Sequence, residues 1–369
     1  GAMSIDGIGG EATAQLSLAG GPPQPFTVIG AGYGGAMRDA LAALREKGQL
    51  DAVGAVGHRV VHGGPKHSAP AFIDVETLQA IREATELAPL HNKPALEAIE
   101  ACREARPLLP MVAAFDTGFF RDLPRVAATY ALPAELSAKL GIRRYGFHGL
   151  AHEFMARRYR ELAGSNAGRL VTLQLGSGAS AAAIRDGRPI DTSMGFTPLE
   201  GLVMRSRSGD IDASLPGFIA SRTGKSMDEV EALLNEESGL AGLYGGTGDV
   251  RELLRAESAG DEKAALALAV FCYRVRKYIG AYAAALGGLD GLVFGGGIGE
   301  KSPEVRRRVL QDFGWLGLDV DATRNADPSA NGGLISAEAS RVRCFVVEVD
   351  EARVIAEKTL RCLKDGEGQ

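Results

Sequence analysis

LQLGSGASAAAIRDGRPIDTS, Leu173 to Ser193, decides the fold class. The apolar run ending at Leu175 reads as a strand, Gly176-Ser177-Gly178 as a tight turn, and the stretch from Ala179 as a second strand. Asp186-Gly187 then marks a two-residue hairpin turn into a third strand. Gly176 and Gly178 let backbone N–H groups come close to a phosphate. A second unit of this kind, GLVFGGGIGEKSPEV from Gly291 to Val305, gives strand, glycine turn and helix, with a helix N-terminus open to an anion or a ribose.

Outward from these two stretches, strand-type runs followed by glycine and then by helical periodicity recur along the chain, which argues for an α/β fold. Strands are expected at Gly54–Val61, Met111–Phe115, Leu170–Leu175, Leu292–Phe294 and Cys344–Val349. Helices are expected at Met37–Lys47, Val75–Leu87, Lys93–Glu104, Ala151–Ala163, Met227–Asn235, Lys263–Leu286 and Glu304–Asp312. Ser226 with Glu229 makes a capping box, and Ser302 precedes a proline at the first helical position. No repeat of fixed period occurs, and a domain boundary is expected just after Phe115.

The chain has 369 residues, 45% of them hydrophobic, enough for two cored domains. Net charge is −5 and no block of Lys or Arg is long enough to follow a phosphodiester backbone, so nucleic acid is not an expected partner. The longest apolar stretch, Ile279 to Leu289, is short of the roughly 20 residues of a membrane span. Cys102, Cys272, Cys344 and Cys362 form no CxxC pair, which suits free thiols in a reducing cytoplasm. Gly1-Ala2-Met3 reads as an expression remnant and is set aside.

Three motifs invite false readings. Gly30, Gly32 and Gly35 spell G-x-G-x-x-G, but no acidic residue lies between Asp51 and Asp74 to take ribose hydroxyls, so a flexible glycine loop is the better reading. Thr223 to Ser226 resembles the end of a P-loop, yet Ile219 stands where its first glycine belongs, and a helix start is expected instead. RRYGFHGLAH, Arg143 to His152, sets His148 and His152 four apart, but Gly149 replaces the Glu of H-E-x-x-H and two arginines repel a cation. Histidines satisfied in a turn remain an alternative; Arg and His beside glycines favour an anion site.

All six histidines lie in the first 152 residues, and the nearby arginines sit beside strand ends or glycines. Arg59 leads to Gly63 and Gly64, LAPLHN supplies His91, and Asp116 follows a buried strand, where α/β proteins collect catalytic groups. Two glycine turns, two arginines, an Asp and a late Glu suggest phosphoryl transfer, which depends on positioning and charge neutralisation. Each also has a structural reading: Arg59 and Arg207 as ion pairs, Asp116 and Glu351 as helix caps.

Taken together, GHRVVHGG, LAPLHN, FDTGF, RRYGFHG, DTSMGFTPLEGLVMRSRSGDID, ESGLAGL and GGGIGE resemble the acetate kinase family, in order and over the chain from Asp51 onward. The resemblance implies two domains of the sugar kinase and actin type, residues 1–117 with 352–369 and residues 118–351, with a catalytic cleft between them. It implies a homodimer that transfers phosphoryl reversibly from ATP to acetate, giving acetyl phosphate and ADP, with Mg²⁺ or Mn²⁺. By that resemblance Arg59 and His91 bind the substrate carboxylate, Asp116, His148 and Arg207 are catalytic, and Glu351 is associated with the metal. The nucleotide would be bordered by Gln174, Leu175, Gly176, Ser177 and Gly178, by Asp249, Val250 and Arg251, and by Gly297, Ile298, Gly299 and Glu300.

Three departures from the family pattern follow. Gln174 and Ser177 stand in a turn that usually reads H-L-G-N-G, Arg205 replaces the glycine before T-R-S-G, and nothing in GAMSIDGIGGEATAQLSLAGG matches the opening N-x-G-S-S-S-x-K. The last implies a chain that starts at the family's second or third strand, whether truncated, alternatively started, or a paralogue without that loop. A propionate or butyrate kinase, and a non-catalytic nucleotide-binding paralogue, are the rival readings.

Overall fold

The structure, a computed structural model, describes residues 2–6, 8, 12–17, 22–164 and 168–366. The chain forms two compact units, residues 1–118 with 352–369 and residues 119–351. Gly1 and residues 367–369, included in the ranges expected above, lie outside the described residues.

In the first unit, β1 (Ala2–Asp6), β2 (Thr13–Ser17) and β3 (Gln24–Phe26) form an antiparallel sheet. Ala2 and Met3, set aside above, pair with Ser17 and Leu16 inside it. Helix α1 (Gly32–Glu46) begins five residues before the expected Met37, with three glycines in its opening turn. The flexible-loop reading therefore fails. A Cβ on Gly35 would lie 2.4 Å from Gly30, so these glycines exist for backbone contact. Asp39 takes the amides of Ile29 and Gly30 at 2.7 and 2.8 Å, and Glu97 takes that of Gly34 at 3.2 Å. Those carboxylates occupy the donors that a nucleotide phosphate would have needed.

β4 (Val56–Val60) pairs in parallel with β6 (Met111–Phe115), and β5 (Ala71–Phe72) flanks β6 antiparallel. Helices α2 (Val75–Glu83) and α3 (Pro89–Ala105) cover the sheet, and Leu78, Ile81, Ile99 and Cys102 share a core with Val60 and Phe115. α3 starts at Pro89 rather than Lys93 and carries Pro94 internally, so His91 belongs to its first turn. On the opposite face of β4, Gly57 seats residues of the last helix: its Cβ would meet Thr359 Oγ1 at 2.4 Å and Ile355 Cγ2 at 2.5 Å.

The second unit holds a five-stranded sheet ordered β11-β10-β7-β8-β9. β7 (Arg169–Leu175), β8 (Ala179–Arg185) and β9 (Arg188–Thr192) form the meander expected from Leu173–Ser193. Asp186 and Gly187 both have positive φ, 51° and 80°, as the hairpin reading requires. β10 (Gly291–Gly295) runs parallel to β7 and to β11 (Arg343–Val346). Around the sheet lie α4 (Arg125–Ala128), α5 (Ala134–Leu140), α6 (Gly149–Ala163), α7 (Leu215–Thr223) and α8 (Met227–Glu236). They are followed by α9 (Gly239–Tyr244), α10 (Val250–Ser258), α11 (Glu262–Leu286), α12 (Gly296–Lys301), α13 (Pro303–Leu310) and α14 (Ala322–Ala326). Thr223 to Ser226 joins α7 to α8, with the capping box formed at Ser226. Helix α15 (Glu351–Gly366) closes the chain.

Candidate active site

In the first unit, Arg59 projects from β4 and Asp116 follows β6 directly, its amide bonded to Val60 O at 3.0 Å. Because the strands are parallel neighbours, both side chains leave from the same sheet end. Arg59 Nε and Nη2 donate to Asp116 Oδ1 and Oδ2 at 3.0 and 2.7 Å. The Asp116 side chain is 1% exposed and that of Arg59 38%, so the pair has one buried and one accessible member. Asp116 is thus an ion-pair carboxylate, and the helix-cap alternative is discarded.

Behind it, His62 is held by Asn92, which accepts from its amide at 3.1 Å and donates to its carbonyl at 2.9 Å. His62 Nδ1 accepts from Gly64 N at 2.9 Å. Burial lowers the pKa of His58 and of His62 to about 4, so both are neutral at pH 7. His91 sits partly buried in the first turn of α3.

In the second unit, His148 is left-handed, φ 57°, immediately before α6. Backbone strain of this kind clusters at functional sites, though Asp186 shows that a tight turn imposes it too. Gly146, φ 75°, makes the approach possible, since a Cβ there would sit 2.6 Å from the Phe120 ring. His148 Nδ1 lies 2.9 Å from Ser180 Oγ on β8. A Cβ placed on Gly178 would stand 3.1 Å from His148 Nε2 and 3.8 Å from Arg207 Nη1. His148, Arg207 and the glycine turn after β7 are therefore brought together.

The loop carrying Arg207 is tied down at several points. Arg205 N donates to Ser177 O at 3.0 Å, joining the loop to the glycine turn, and Met204 N donates to Arg207 O at 3.1 Å. Asp210 accepts from Gly201 N at 2.8 Å and from Tyr278 OH at 2.6 Å. Burial lowers the pKa of Arg207, an indication of a partly desolvated cation. Arg205, where the family pattern has glycine, is accommodated by Gly248, whose Cβ would meet Arg205 Cγ at 2.7 Å.

Within RRYGFHGLAH, Arg144 and His152 are committed to the protein's own groups. Arg144 Nη2 pairs with Glu200 at 2.5 Å, and its Nη1 donates to the carbonyls of Thr192, Ser193 and Met194. Tyr130 OH donates to the same Glu200. His152 is fully buried, with Nδ1 2.7 Å from Thr172 Oγ1 and Nε2 2.8 Å from Ser180 Oγ. Two of the motif's polar groups thus build the fold instead of facing a ligand.

The second glycine turn stands beside the first, because Gly295 of β10 pairs with Gln174 of β7. Gly296, φ 75°, has room for no side chain, with Leu175 O 2.7 Å from its Cβ position. Glu300 Oε1 accepts from Gly296 N and Val349 N at 2.9 and 3.2 Å, so this carboxylate staples the turn. Gly297 and Ile298 are accessible and Gly299 is buried. Arg306, 1% exposed, donates to the carbonyls of Gly299 and Glu300 and to Asn325. Gln174 Oε1 is buried without a partner beside Gly295. Asp249 caps α10 and pairs with Arg251, which holds its carboxyl well below the usual range. Val250 is buried next to it. Glu351 opens α15, partly buried.

Sequence reasoning missed Ser180, Thr172, Asp210 and Arg306. Signals existed for two of them: Ser180 is a polar residue in the otherwise apolar run ASAAAI, and Asp210 lies inside the quoted stretch from Asp191 to Asp212.

A profile describing the Acetokinase family matches residues 7–357. The acetate kinase of Solibacter usitatus (strain Ellin6076) is 44% identical over 370 residues, covering 97% of this chain and 89% of that protein. That of Deinococcus deserti is 48% identical over 335 residues, covering 90% and 84%. Among solved structures, Porphyromonas gingivalis acetate kinase matches with a TM-score of 0.86 at 36% identity, over 97% of this chain and 92% of that one. A propionate kinase from Francisella tularensis subsp. tularensis SCHU S4 gives 0.89 at 34%, over 97% and 91%.

Proposed function

The chain belongs to the Acetokinase family, and from that premise we propose that it is an acetate kinase, moving the terminal phosphoryl group of ATP to a carboxylate oxygen of acetate and back. One P–O bond to ADP breaks as one to the acetate oxygen forms, giving acetyl phosphate. The observation that carries the reading is the convergence of His148 and Arg207 on the glycine turn at Gly178. That turn offers close backbone approach to phosphate, and the two side chains offer donors where transition-state charge accumulates.

Arg59, with Asp116 fixing its fork, is assigned the acetate carboxylate, together with His91. Gln174–Gly178, Asp249–Arg251 and Gly297–Glu300 are assigned to the borders of the nucleotide. Among the described residues no group of three or more His, Cys, Asp or Glu could hold a metal. Mg²⁺ needs no such group, since it keeps several waters and takes one or two carboxylates plus substrate phosphates. Glu351, partly buried, suits that limited role, and Mg²⁺ or Mn²⁺ bound there with ATP would neutralise phosphate charge. The assembly proposed with this reading is a homodimer, tested by light scattering.

The likeness to a propionate kinase supports a second acceptor. One methylene is worth roughly 1–3 kcal/mol in such a pocket. A hydroxamate assay for acyl phosphate, with ATP and either acetate or propionate, tests both. Acetate-dependent product with the larger kcat/KM is expected; its absence overturns the reading.

A further inference from the structure

Ser180 Oγ lies within hydrogen-bond distance of two imidazoles, Nδ1 of His148 at 2.9 Å and Nε2 of His152 at 2.8 Å. His152 reaches on through Nδ1 to Thr172 Oγ1 at 2.7 Å. Thr172, His152 and Ser180 are all fully buried, and Phe120 stands edge-on against the His152 ring at 5.7 Å. We propose that Thr172, His152 and Ser180 are positioning residues: a buried relay that fixes His148 as the tautomer with its proton on Nε2, the nitrogen nearest Gly178.

The argument is one of proton accounting. Each hydroxyl carries one proton, and each neutral imidazole has one donor and one acceptor nitrogen. If the Thr172 hydroxyl donates to His152 Nδ1, then His152 Nε2–H donates to Ser180 and the Ser180 hydroxyl donates to His148 Nδ1. Every proton in the chain then has an acceptor, and His148 is left with N–H at Nε2.

In the reverse direction His148 Nδ1–H donates to Ser180, Ser180 to His152 Nε2, and His152 Nδ1–H to Thr172. The Thr172 proton would then have no acceptor among the described residues, at a site closed to solvent. A stranded buried donor costs about 1–3 kcal/mol. That direction would also aim the Nε2 lone pair at the position proposed for an anionic phosphoryl group. Both counts favour the first arrangement. It parallels the logic by which a third group holds a catalytic histidine in its working tautomer.

The catalytic consequence rests on the kinase reading; the tautomer does not. The test is ¹⁵N NMR of the imidazoles in the full chain, with His148 assigned from the resonances lost in His148→Gln. The expected result is a protonated Nε2 and an unprotonated Nδ1 on His148. Ser180→Ala should mix the tautomers and lower kcat at least about tenfold, with both KM values within about twofold. Thr172→Val should act in the same direction, and Thr172→Ser should restore the wild-type spectrum and rate. A proton on Nδ1 in the wild type, or an unchanged tautomer in Ser180→Ala and Thr172→Val, overturns the relay. Absence of acyl phosphate formation beside an Nε2–H spectrum would instead overturn the kinase reading and leave the relay standing.

Discussion

Arg59 and Asp116 form a two-pronged ion pair across neighbouring parallel strands, with the carboxylate buried and the guanidinium open to one side. The buried member depends on the exposed one. Arg59→Ala should therefore cost about 2 kcal/mol, less than a fully buried pair because part of the charge is solvated. It should also lower kcat/KM for acetate by about 10² or more. The double variant Arg59→Ala/Asp116→Asn separates the two effects. Denaturant midpoints should recover while turnover stays low; turnover recovering with stability would make Arg59 merely structural.

Arg207→Ala should lower kcat by about 10² or more, since it removes a charge-assisted donor from developing charge. Gly178→Ala tests the same convergence without deleting any functional group. The added methyl would press on His148 at 3.1 Å, and kcat should fall at least about tenfold. Single-turnover rates decide the matter, and a normal rate in Gly178→Ala would place the reacting group elsewhere.

The buried neutral histidines give stability a pH dependence of definite sign. Folding lowers His58 and His62 from 6.5 to about 4, so the unfolded chain takes up protons first as pH falls. Their contribution is whole above about pH 6.5 and is lost progressively towards pH 4, on the order of 3 kcal/mol for each. Urea unfolding across that window should show the decline, and His58→Gln should make it shallower. Parallel curves for the two proteins would remove His58 from the linkage.

Arg306 is a buried cation whose bonds go to three carbonyls and one side-chain amide. Arg306→Leu would strand those acceptors and should destabilise the second unit by about 2–4 kcal/mol. Because two of the carbonyls belong to α12, the short glycine-rich helix after β10, KM for ATP should rise as well. Melting curves with and without ATP would reveal the change, and a wild-type melt would contradict it.

What the sequence made legible was whatever its own neighbours determine. β6 is buried on both faces and reads as an unbroken apolar run, so Met111–Phe115 was found residue for residue. Asp186-Gly187 was legible because two consecutive positive φ values demand such residues. The glycines at 30–35 misled, since Gly30 is held by Asp39 and Gly34, at the start of α1, by Glu97 of α3. α5 was missed because it buries no residue and so carries no apolar stripe.

At the site, residue type alone could not assign Arg144 its place. Arg144 and Arg207 both sit near glycines, and the Glu200 that ties Arg144 into the fold is distant in sequence. The roles of Ser180 and Thr172 were not legible, for a related reason, although Ser180 stands out as a polar residue in an apolar run. Their hydroxyls matter only because β7 and β8 present them to one face of α6.

The seat that Gly57 provides for Ile355 and Thr359 also bears on the order in which a ribosome can release finished structure. β4 and β6 emerge early, yet one face of β4 stays bare until α15 is made, after the entire second unit has been translated. The usual sequence, in which an N-terminal unit is complete before the next is made, does not hold for a unit that includes the chain's last helix. The seat at Gly57 cannot be filled until Ile355 and Thr359 have been synthesised.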